Sequence, residues 1–302
     1  MEVALTRTDG VAGSEGTPLL LFWKETDFST GTLGSPYKTS TPAGGIGDYA
    51  DAPYNTETDY PTDNSRVVVM GLCPSAMTTA DSHTTYSLPS RAGLTDVLVT
   101  PNGVTGSRKQ PFGRALEFAH AAVRIVLKAR RTDNTVGKLY IKNLKLTVPS
   151  RLVCGGVKWD TGVKHYVAAP ASADLVIDHP GQILSTEDTQ IAVFYLIPCA
   201  TNDLLTDISS SGTPGLTLTA DVAKDVNFTT GARKASFPVL DGNLNFMDQS
   251  GVPVTQLQSG ESYGTTLNFD IDSFTLEGEE KEWEDGGKMT IPVVVPEPVP
   301  SA

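Results

Sequence analysis

Four histidines are the first residues that could do chemistry, because imidazole is a common acid, base and metal ligand near neutral pH. They are His83, His120, His165 and His179. No pair has the HxxxH or HExxH spacing of a metal site. His120 lies within an apolar segment, where a histidine held by a backbone partner is more common than a ligand or a base. The histidines therefore predict no metal centre and no catalytic base.

Acidic residues are the second source of chemistry, since paired carboxylates serve glycoside hydrolysis and oxygen-rich loops bind calcium. They cluster at Asp270, Asp272, Glu279, Glu280, Glu282, Glu284 and Asp285. Glycosidase carboxylates are usually far apart in sequence, and this run lacks the alternating ligands of a known calcium loop. We interpret the run before Gly286 and Gly287 as a solvated hairpin tip. No nucleophile elbow, Walker loop or dinucleotide-binding glycine pattern is present. We expect no catalytic residue, no cofactor-binding residue and no metal ligand.

Aromatic residues are the third source, because sugar-binding modules stack sugars on exposed rings. A loop from residue 27 to residue 62 contains Tyr37, Tyr49, Tyr54 and Tyr60. Tyr54 and Tyr60 are candidate ligand-binding residues. The alternative is that these tyrosines are amphipathic anchors that cover one end of a β-sandwich.

The charge balance excludes one class of partner. The 302 residues carry a formal net charge of -12, from 35 acidic and 23 basic side chains. Phosphate backbones would be repelled at long range, so nucleic acid is not an expected partner.

The three cysteines, Cys73, Cys154 and Cys199, have no CxxC spacing. This pattern argues against a zinc knuckle and a disulfide scaffold. Three small buried side chains are favoured, and one disulfide with a spare thiol is the alternative.

Short apolar runs separated by turn residues predict an all-β fold. The clearest strands are Pro18 to Trp23, Arg66 to Leu72, Leu216 to Val222 and Gly264 to Ile271. The run Ile191 to Ile197 is apolar at successive positions, as expected of a central strand. No segment of ten residues or more has a helical period.

One segment, Leu94 to Arg131, is strongly β but internally broken. Leu116 and Phe118 are apolar at even positions, whereas Val123 and Ile125 are apolar at odd positions. A single flat strand would turn one of these halves towards water. A bulge, or a chain that leaves one sheet and enters another, would reset the register between Phe118 and Val123. We place this crossover inside the N-terminal domain, with His120 as a structural residue.

A second segment, Lys138 to Val148, changes parity in the same way. Its apolar residues move from Leu139 and Ile141 to Leu144 and Leu146. Either the register is reset within one strand, or one strand ends at Asn143.

Chain length and a rise in glycine, proline and alanine between Pro149 and Pro180 predict two domains with a boundary near residue 170. The expected domains are an N-terminal β-sandwich over 1–170, including a first strand over 1–7, and a C-terminal β-sandwich over 171–302. The latter ends in a short proline-rich tail.

Two parts of the chain resemble the fimbrillin family, the fimbrial subunits and type V pilins of Gram-negative anaerobes. One is the order of Thr95 to Val99, a loop, and then Leu116 to Leu127, which contains an apolar-x-Phe-x-His-Ala segment. The other is Leu257 to Tyr263, followed by Leu267 to Phe269 and Glu282 to Gly287. Together these signals cover roughly residues 94 to 290.

The resemblance implies two β-sandwich domains of transthyretin-like topology. It also implies a non-enzymatic protein, exported as an outer-membrane lipoprotein and assembled into surface fimbriae as a structural subunit or tip adhesin. An arginine-specific protease would remove a first strand, and a strand from another subunit would fill the groove. The implied partners are other pilin subunits, the protease, and a host protein or glycan.

Carried over to this chain, the resemblance points to Arg7 as the processing site, with Val3 and Leu5 as the inward side chains of the removable strand. The alternative is an ordinary disordered N-terminus. The candidate donor strand contains Met289, Ile291, Val293 and Val295, which could instead form the last strand of the second domain. Few residues follow it, which departs from the longer tail of major shaft subunits and leaves room for a tip or accessory subunit.

A second function stays open, that of a surface lipoprotein that binds carbohydrate without polymerising. Its basis is the tyrosine-rich loop and three tryptophans. Met1 begins no signal-peptide pattern, so we expect a longer precursor that carries the signal and the lipidated cysteine.

Overall fold

The structure is a computed structural model, and it describes most of the chain between residues 2 and 281. The described residues are 2–3, 5–7, 19–30, 36–40, 52–53, 60–74, 78–80, 85–87, 93–110, 116–131, 139–160, 163–168, 175–179, 182–204, 216–223, 225–227, 229, 233–238, 246–247, 253–269 and 274–281.

The fold is all-β, as the sequence predicts. The strands of the first half are β1 (Glu2–Val3), β2 (Leu5–Arg7), β3 (Leu19–Lys24), β4 (Lys38–Ser40), β5 (Ala52–Pro53), β6 (Val67–Cys73), β7 (Thr78–Ala80), β8 (Thr85–Ser87), β9 (Leu98–Val99), β10 (Val104–Gly106), β11 (Leu116–His120), β12 (Val123–Arg131) and β13 (Leu139–Val148). Those of the second half are β14 (Cys154–Asp160), β15 (Val163–Ala168), β16 (Leu175–His179), β17 (Gln182–Leu184), β18 (Thr189–Leu196), β19 (Cys199–Ala200), β20 (Thr217–Ala223), β21 (Arg233–Pro238), β22 (Phe246–Met247), β23 (Pro253–Val254), β24 (Gln256–Leu257), β25 (Ser262–Phe269) and β26 (Phe274–Lys281).

The helical elements among the described residues are short. They are the α-helix α1 (Glu25–Thr30) and two 3-10 turns, Ser150–Leu152 and Thr201–Leu204. Within these described parts of the chain, no helix has the length and apolar character needed to cross a membrane.

The chain divides into two compact units, but not at a single boundary. Unit 1 contains residues 1–122 and 154–169, and unit 2 contains residues 123–153 and 170–302. This division differs from the contiguous boundary expected near residue 170, because 123–153 belong to unit 2. The rise in glycine and proline after Pro149 marks two of the three places where the chain passes between units. The third is the parity change after Phe118.

Unit 1 holds two larger sheets. The seven-stranded sheet has the order β2-β11-β9-β6-β3-β4, and β10 pairs with β6. The four-stranded sheet has the order β15-β14-β8-β7. All seven residues of β6 are buried, which agrees with the uninterrupted apolar run that predicts this strand. Strands β1 and β5 form a separate pair.

Unit 2 also holds two larger sheets, with the orders β18-β12-β25-β26 and β16-β13-β20-β21. Strand β17 joins the second sheet by pairing with β13. Two sheets in each unit are consistent with the predicted β-sandwiches. Strand β18 lies at the end of its sheet, although its apolar run predicts a central strand. Ile191, Ala192, Phe194 and Leu196 are buried all the same, whereas Val193 and Tyr195 are half-buried. One face of this edge strand is therefore covered and the other is covered in part.

The parity change after Phe118 is a passage from one sheet to another. Strand β11 belongs to the seven-stranded sheet of unit 1, and β12 belongs to the four-stranded sheet of unit 2. The two linking residues, Ala121 and Ala122, are fully buried. The predicted change of sheet is confirmed, but it leads out of the N-terminal unit rather than lying inside it.

The second parity change is a bulge within one continuous strand. Asn143 has φ 49°, in the left-handed region, where asparagine is better tolerated than most residues. Lys142 pairs with Asp221 and Lys145 with Thr219, so one side of β13 contains an extra residue. The Asn143 amide nitrogen donates a 2.6 Å hydrogen bond to the Asp221 carboxylate. Of the two readings of this segment, the register reset is correct and the strand end is wrong.

Candidate functional site

One edge of the seven-stranded sheet is formed by the second part of the predicted first strand, Leu5–Arg7. Strand β2 pairs in parallel with β11, with Leu5 opposite Leu116, Thr6 opposite Glu117 and Arg7 opposite Phe118. Of the two predicted inward residues, Leu5 lies on this edge strand. Val3 lies on β1 and is paired with Ala52 in a separate two-stranded sheet. The predicted first strand is therefore two short strands with different partners.

Strand β11 is paired on different sides along its two halves. Leu116 to Phe118 pair with β2 on one side. Ala119 and His120 pair with Val99 and Leu98 of β9 on the other side. Among the described strands, β2 is the only ladder partner of Leu116 to Phe118. We call this three-residue stretch, Leu116–Phe118, the β11 edge.

The β11 edge is anchored in the core of unit 1. Leu116 and Phe118 are both fully buried and belong to one cluster. Its other buried members are Leu20, Phe22, Tyr60, Val67, Val69, Cys73 and Leu98. The side chains of Leu116 and Phe118 thus belong to the core, while the backbone of the β11 edge lies one strand from the end of the sheet.

The Phe118 ring fits closely against a glycine of β6. A Cβ atom added at Gly71 would lie 2.4 Å from Cζ of Phe118, which is closer than real Cβ atoms approach. Gly71 is also held by Thr100. The Gly71 amide donates to the Thr100 hydroxyl at 2.9 Å, and the Thr100 amide donates to the Gly71 carbonyl at 2.9 Å. The absence of a side chain at position 71 therefore sets the depth of Phe118.

His120, the last residue of β11, is paired with a carboxylate. Its Nδ1 atom lies 2.5 Å from Oδ2 of Asp96, and the side chains are 6% and 10% exposed. A structural His120 is what the sequence analysis expects, and the Asp96 side chain is one of its partners. Oδ1 of Asp96 is buried with no hydrogen-bond partner in the structure. The hydrogen bond that the structure shows for this carboxylate is therefore the one to His120.

The cysteines are buried, as the sequence analysis favours. Cys73, Cys154 and Cys199 are buried thiols and form no disulfide. Burial, with a smaller effect of the Asp203 carboxylate, raises the pKa of the Cys199 thiol to about 12. The thiol of Cys199 is therefore protonated at neutral pH and a poor nucleophile.

Within the described residues, no group of three or more histidine, cysteine, aspartate or glutamate side chains could hold a metal ion. Glu279 and Glu280, from the acidic run, lie on β26, where Glu280 is paired with Tyr263 and Glu279 with Gly264. Glu282, Glu284 and Asp285, which directly precede the expected tip at Gly286 and Gly287, lie outside the described residues.

Tyr60 is not a surface residue. It is 1% exposed, and its ring meets that of Phe22 edge-on at a centroid distance of 6.5 Å. A sugar cannot stack on it, so this candidate ligand residue is wrong. The other candidate, Tyr54, lies outside the described residues, as do Met289, Ile291, Val293 and Val295 of the candidate donor strand.

No protein-family model matches this chain, and no curated protein matches it. Solved structures do match. A candidate cell adhesion protein from Bacteroides uniformis aligns with a TM-score of 0.53 at 14% identity, over 94% of this chain and 98% of that chain.

Two further structures align more loosely. A fimbrial assembly protein from Parabacteroides distasonis has a TM-score of 0.42 at 11% identity, over 95% of this chain and 98% of that chain. The tip fimbrial protein Mfa3 from Porphyromonas gingivalis has a TM-score of 0.37 at 8% identity, over 89% and 94%. These two similarities are too loose to support an inference about this chain. The Bacteroides uniformis structure confirms, at the level of the fold, the resemblance noted in the sequence. This chain has the all-β fold of that protein.

Proposed function

We propose that this protein is a non-enzymatic subunit or tip adhesin of a surface fimbria, assembled by exchange of its N-terminal edge strand. The observation that carries the proposal is the position of β2. This strand is only three residues long, lies at the end of a sheet and terminates at Arg7. Detachment of β2 breaks no pairing among the other described strands, and release of the whole segment up to Arg7 additionally breaks the two-residue pairing of β1 with β5.

Loss of β2 would leave the β11 edge without its described strand partner. The β11 edge would keep the Leu116 and Phe118 side chains in the core but lose its described ladder partner. Unpaired N–H and C=O groups at a sheet edge are a template for a strand from another chain. Completion of a sheet in trans is an established mode of recognition, in which the backbone supplies affinity and side-chain pockets supply specificity.

The remaining parts of the proposal come from the resemblance. An arginine-specific protease would cut after Arg7, and a neighbouring pilin subunit would supply the replacing strand. In this chain the corresponding donor would be Met289 to Val295. Export would use a lipidated precursor at the outer membrane, and a host protein or glycan would be the ligand of a tip subunit. Fractionation of cells grown with labelled fatty acid tests the anchor, because label absent from the surface protein would contradict it.

Digestion with an arginine-specific protease tests the central step. We expect a cut between Arg7 and Thr8, release of the N-terminal segment and formation of oligomers, measured by mass spectrometry and light scattering. The Arg7→Lys variant keeps the charge but lacks the cleavage site, so it should stay monomeric. Arg66→Lys is the matched control at an exposed arginine away from the N-terminal segment, and it should assemble like the wild type. Release of the segment by the wild type without any oligomer would overturn the proposal.

The carbohydrate-binding alternative has lost part of its basis. Tyr60, one of its two named residues, is buried in the core of unit 1. We therefore put forward no second function.

A further inference from the structure

We propose that the buried Asp96–His120 pair is a latch that holds β11 in position while β2 is absent. Both residues would act as positioning residues and would not touch the incoming strand. This inference rests on the proposed strand exchange, because only exchange requires β11 to persist without its edge partner.

The latch follows from the uneven pairing of β11. The described ladder of the β11 edge is made by β2 alone. Once β2 leaves, the described backbone pairing of this strand lies entirely in its last two residues, opposite Val99 and Leu98. The next residue, Ala121, adds a 2.7 Å hydrogen bond from its amide to the carbonyl of Val97. Within the described part of the chain, the remaining backbone hydrogen bonds of β11 therefore lie between Ala119 and Ala121.

The Asp96–His120 bond reinforces that same end. His120 is the ladder partner of Leu98, and Asp96 precedes Leu98 by two residues. The side-chain bond therefore links β11 to the segment that already pairs with its C-terminal end. A hydrogen bond to a carboxylate is roughly twice as strong as one between neutral groups. With both side chains at least nine-tenths buried, solvent does little to weaken it.

Side-chain packing is the competing explanation for how β11 would stay in place. Leu116 and Phe118 are fully buried, and the Phe118 ring is seated against Gly71. Packing of this kind would hold the strand equally well with or without Asp96. The two explanations differ in one respect, which is whether a change at Asp96 matters more after β2 has been removed than before.

Three variants at position 96 distinguish the Asp96–His120 bond from side-chain packing as the interaction that holds β11 in place. Asp96→Ala removes the acceptor. Asp96→Asn is the conservative variant, since its amide oxygen can still accept a hydrogen bond from Nδ1 of His120. Asp96→Leu has nearly the shape of asparagine but no acceptor, and it replaces Asp96→Ala if that variant does not fold. His120 is left unchanged, because its removal would leave a buried carboxylate without its partner.

The measurement is hydrogen exchange of the Leu116–His120 amides in the full chain, before and after the cut at Arg7. In the uncut chain we expect Asp96→Ala to speed exchange by less than about threefold, because β2 still holds the strand. In the cut chain we expect a rise of about tenfold or more over the cut wild type. Asp96→Asn should stay near the wild type in both forms. Equal effects in cut and uncut chains, or an Asn variant as fast as Ala, would overturn the latch.

A second form of the protein tests the latch without proteolysis, because substitutions weaken the pairing of β2 in the full-length chain. In the parallel ladder between β2 and β11, every second N–H group of β2 points to β11. The double substitution Leu5→Pro and Thr6→Pro therefore removes one N–H donor to β11, whichever of the two residues faces that strand. This full-length variant should show the same increased sensitivity to Asp96→Ala. If the exchange contrast appears but the cut wild type forms no oligomer, the proposed function fails and the latch stands. If oligomers form and the contrast is absent, the latch fails alone.

Discussion

At two places in the described strands, the apolar residues change between even and odd positions. The two changes have different structural causes. After Phe118 the chain leaves the seven-stranded sheet of unit 1 and enters the four-stranded sheet of unit 2 through Ala121 and Ala122. At Asn143 the chain stays in one strand, and a bulge resets the register. The first change involves pairing with different sheets, and the second is confined to one residue.

This difference predicts which of the two places tolerates a change in chain length. A bulge adds one residue that the partner strand does not match, so it is a local feature of the backbone. A passage between sheets joins two strands whose registers are fixed independently. A change in length there forces one of the two strands to slip, and a one-residue slip turns every side chain of that strand to the other face.

Deletion of Ala122 should therefore have the largest effect. Either Leu116 and Phe118 or Val123 and Ile125 would have to turn away from the core. We expect a loss of more than about 4 kcal/mol in the free energy of unfolding, which falls among the exceptional single changes. Urea unfolding followed by fluorescence measures it. A deletion that lowers stability by less than the Asn143 deletion below would break the comparison.

Substitution of Asn143 by valine should have the next largest effect. A β-branched residue is strained in the left-handed region, and the hydrogen bond to Asp221 would also be lost, so we expect a cost of about 2 kcal/mol. Asn143→Gly is the matched control, because glycine adopts this conformation without strain and loses only the hydrogen bond. Urea unfolding of both variants gives the difference. Equal stabilities would contradict a role for the backbone conformation.

Deletion of Asn143 should cost less than the valine substitution. Without it, one residue would lie between Lys142 and Lys145, just as one residue lies between their partners Asp221 and Thr219. The apolar residues of β13 would then alternate without interruption. On the other side of β13, pairing is already divided between β16 and β17, so the shift can be taken up there. We expect a loss of about 1 kcal/mol, in the ordinary range for single changes, and an intact cooperative transition.

Substitution of Asp221 by alanine should have the smallest effect. It removes the acceptor of the 2.6 Å bond from Asn143, but that asparagine is exposed, and an exposed hydrogen bond contributes little. We expect a loss of about 0.5–1 kcal/mol by urea unfolding. Asp221→Asn retains an acceptor and should lose less. A loss as large as that of Asn143→Val would mean that the side-chain bond, rather than the backbone, sustains the bulge.

The candidate site could be predicted in part. A strand containing Leu5 and ending at Arg7 was expected, and the structure places both on the edge strand β2. The partner of that strand could not be read from the sequence, because pairing between residues 5 and 116 is a long-range contact. The same limit explains Tyr60. Its neighbours in the chain are polar, whereas its burial comes from Phe22 and the rest of a cluster assembled from distant strands.

By itself, the sequence determined the all-β class, most of the long strands and the two places where the apolar parity changes. These features are local, since alternation shows which face of a strand is apolar and turn residues show where strands end. Only the tertiary structure decided which strands are neighbours. It made one parity change a passage between units and the other a bulge, and it paired His120 with Asp96. The physical reason is that a pattern of alternation specifies a face but not the neighbouring strand, so strand pairing depends on contacts between residues far apart in the chain.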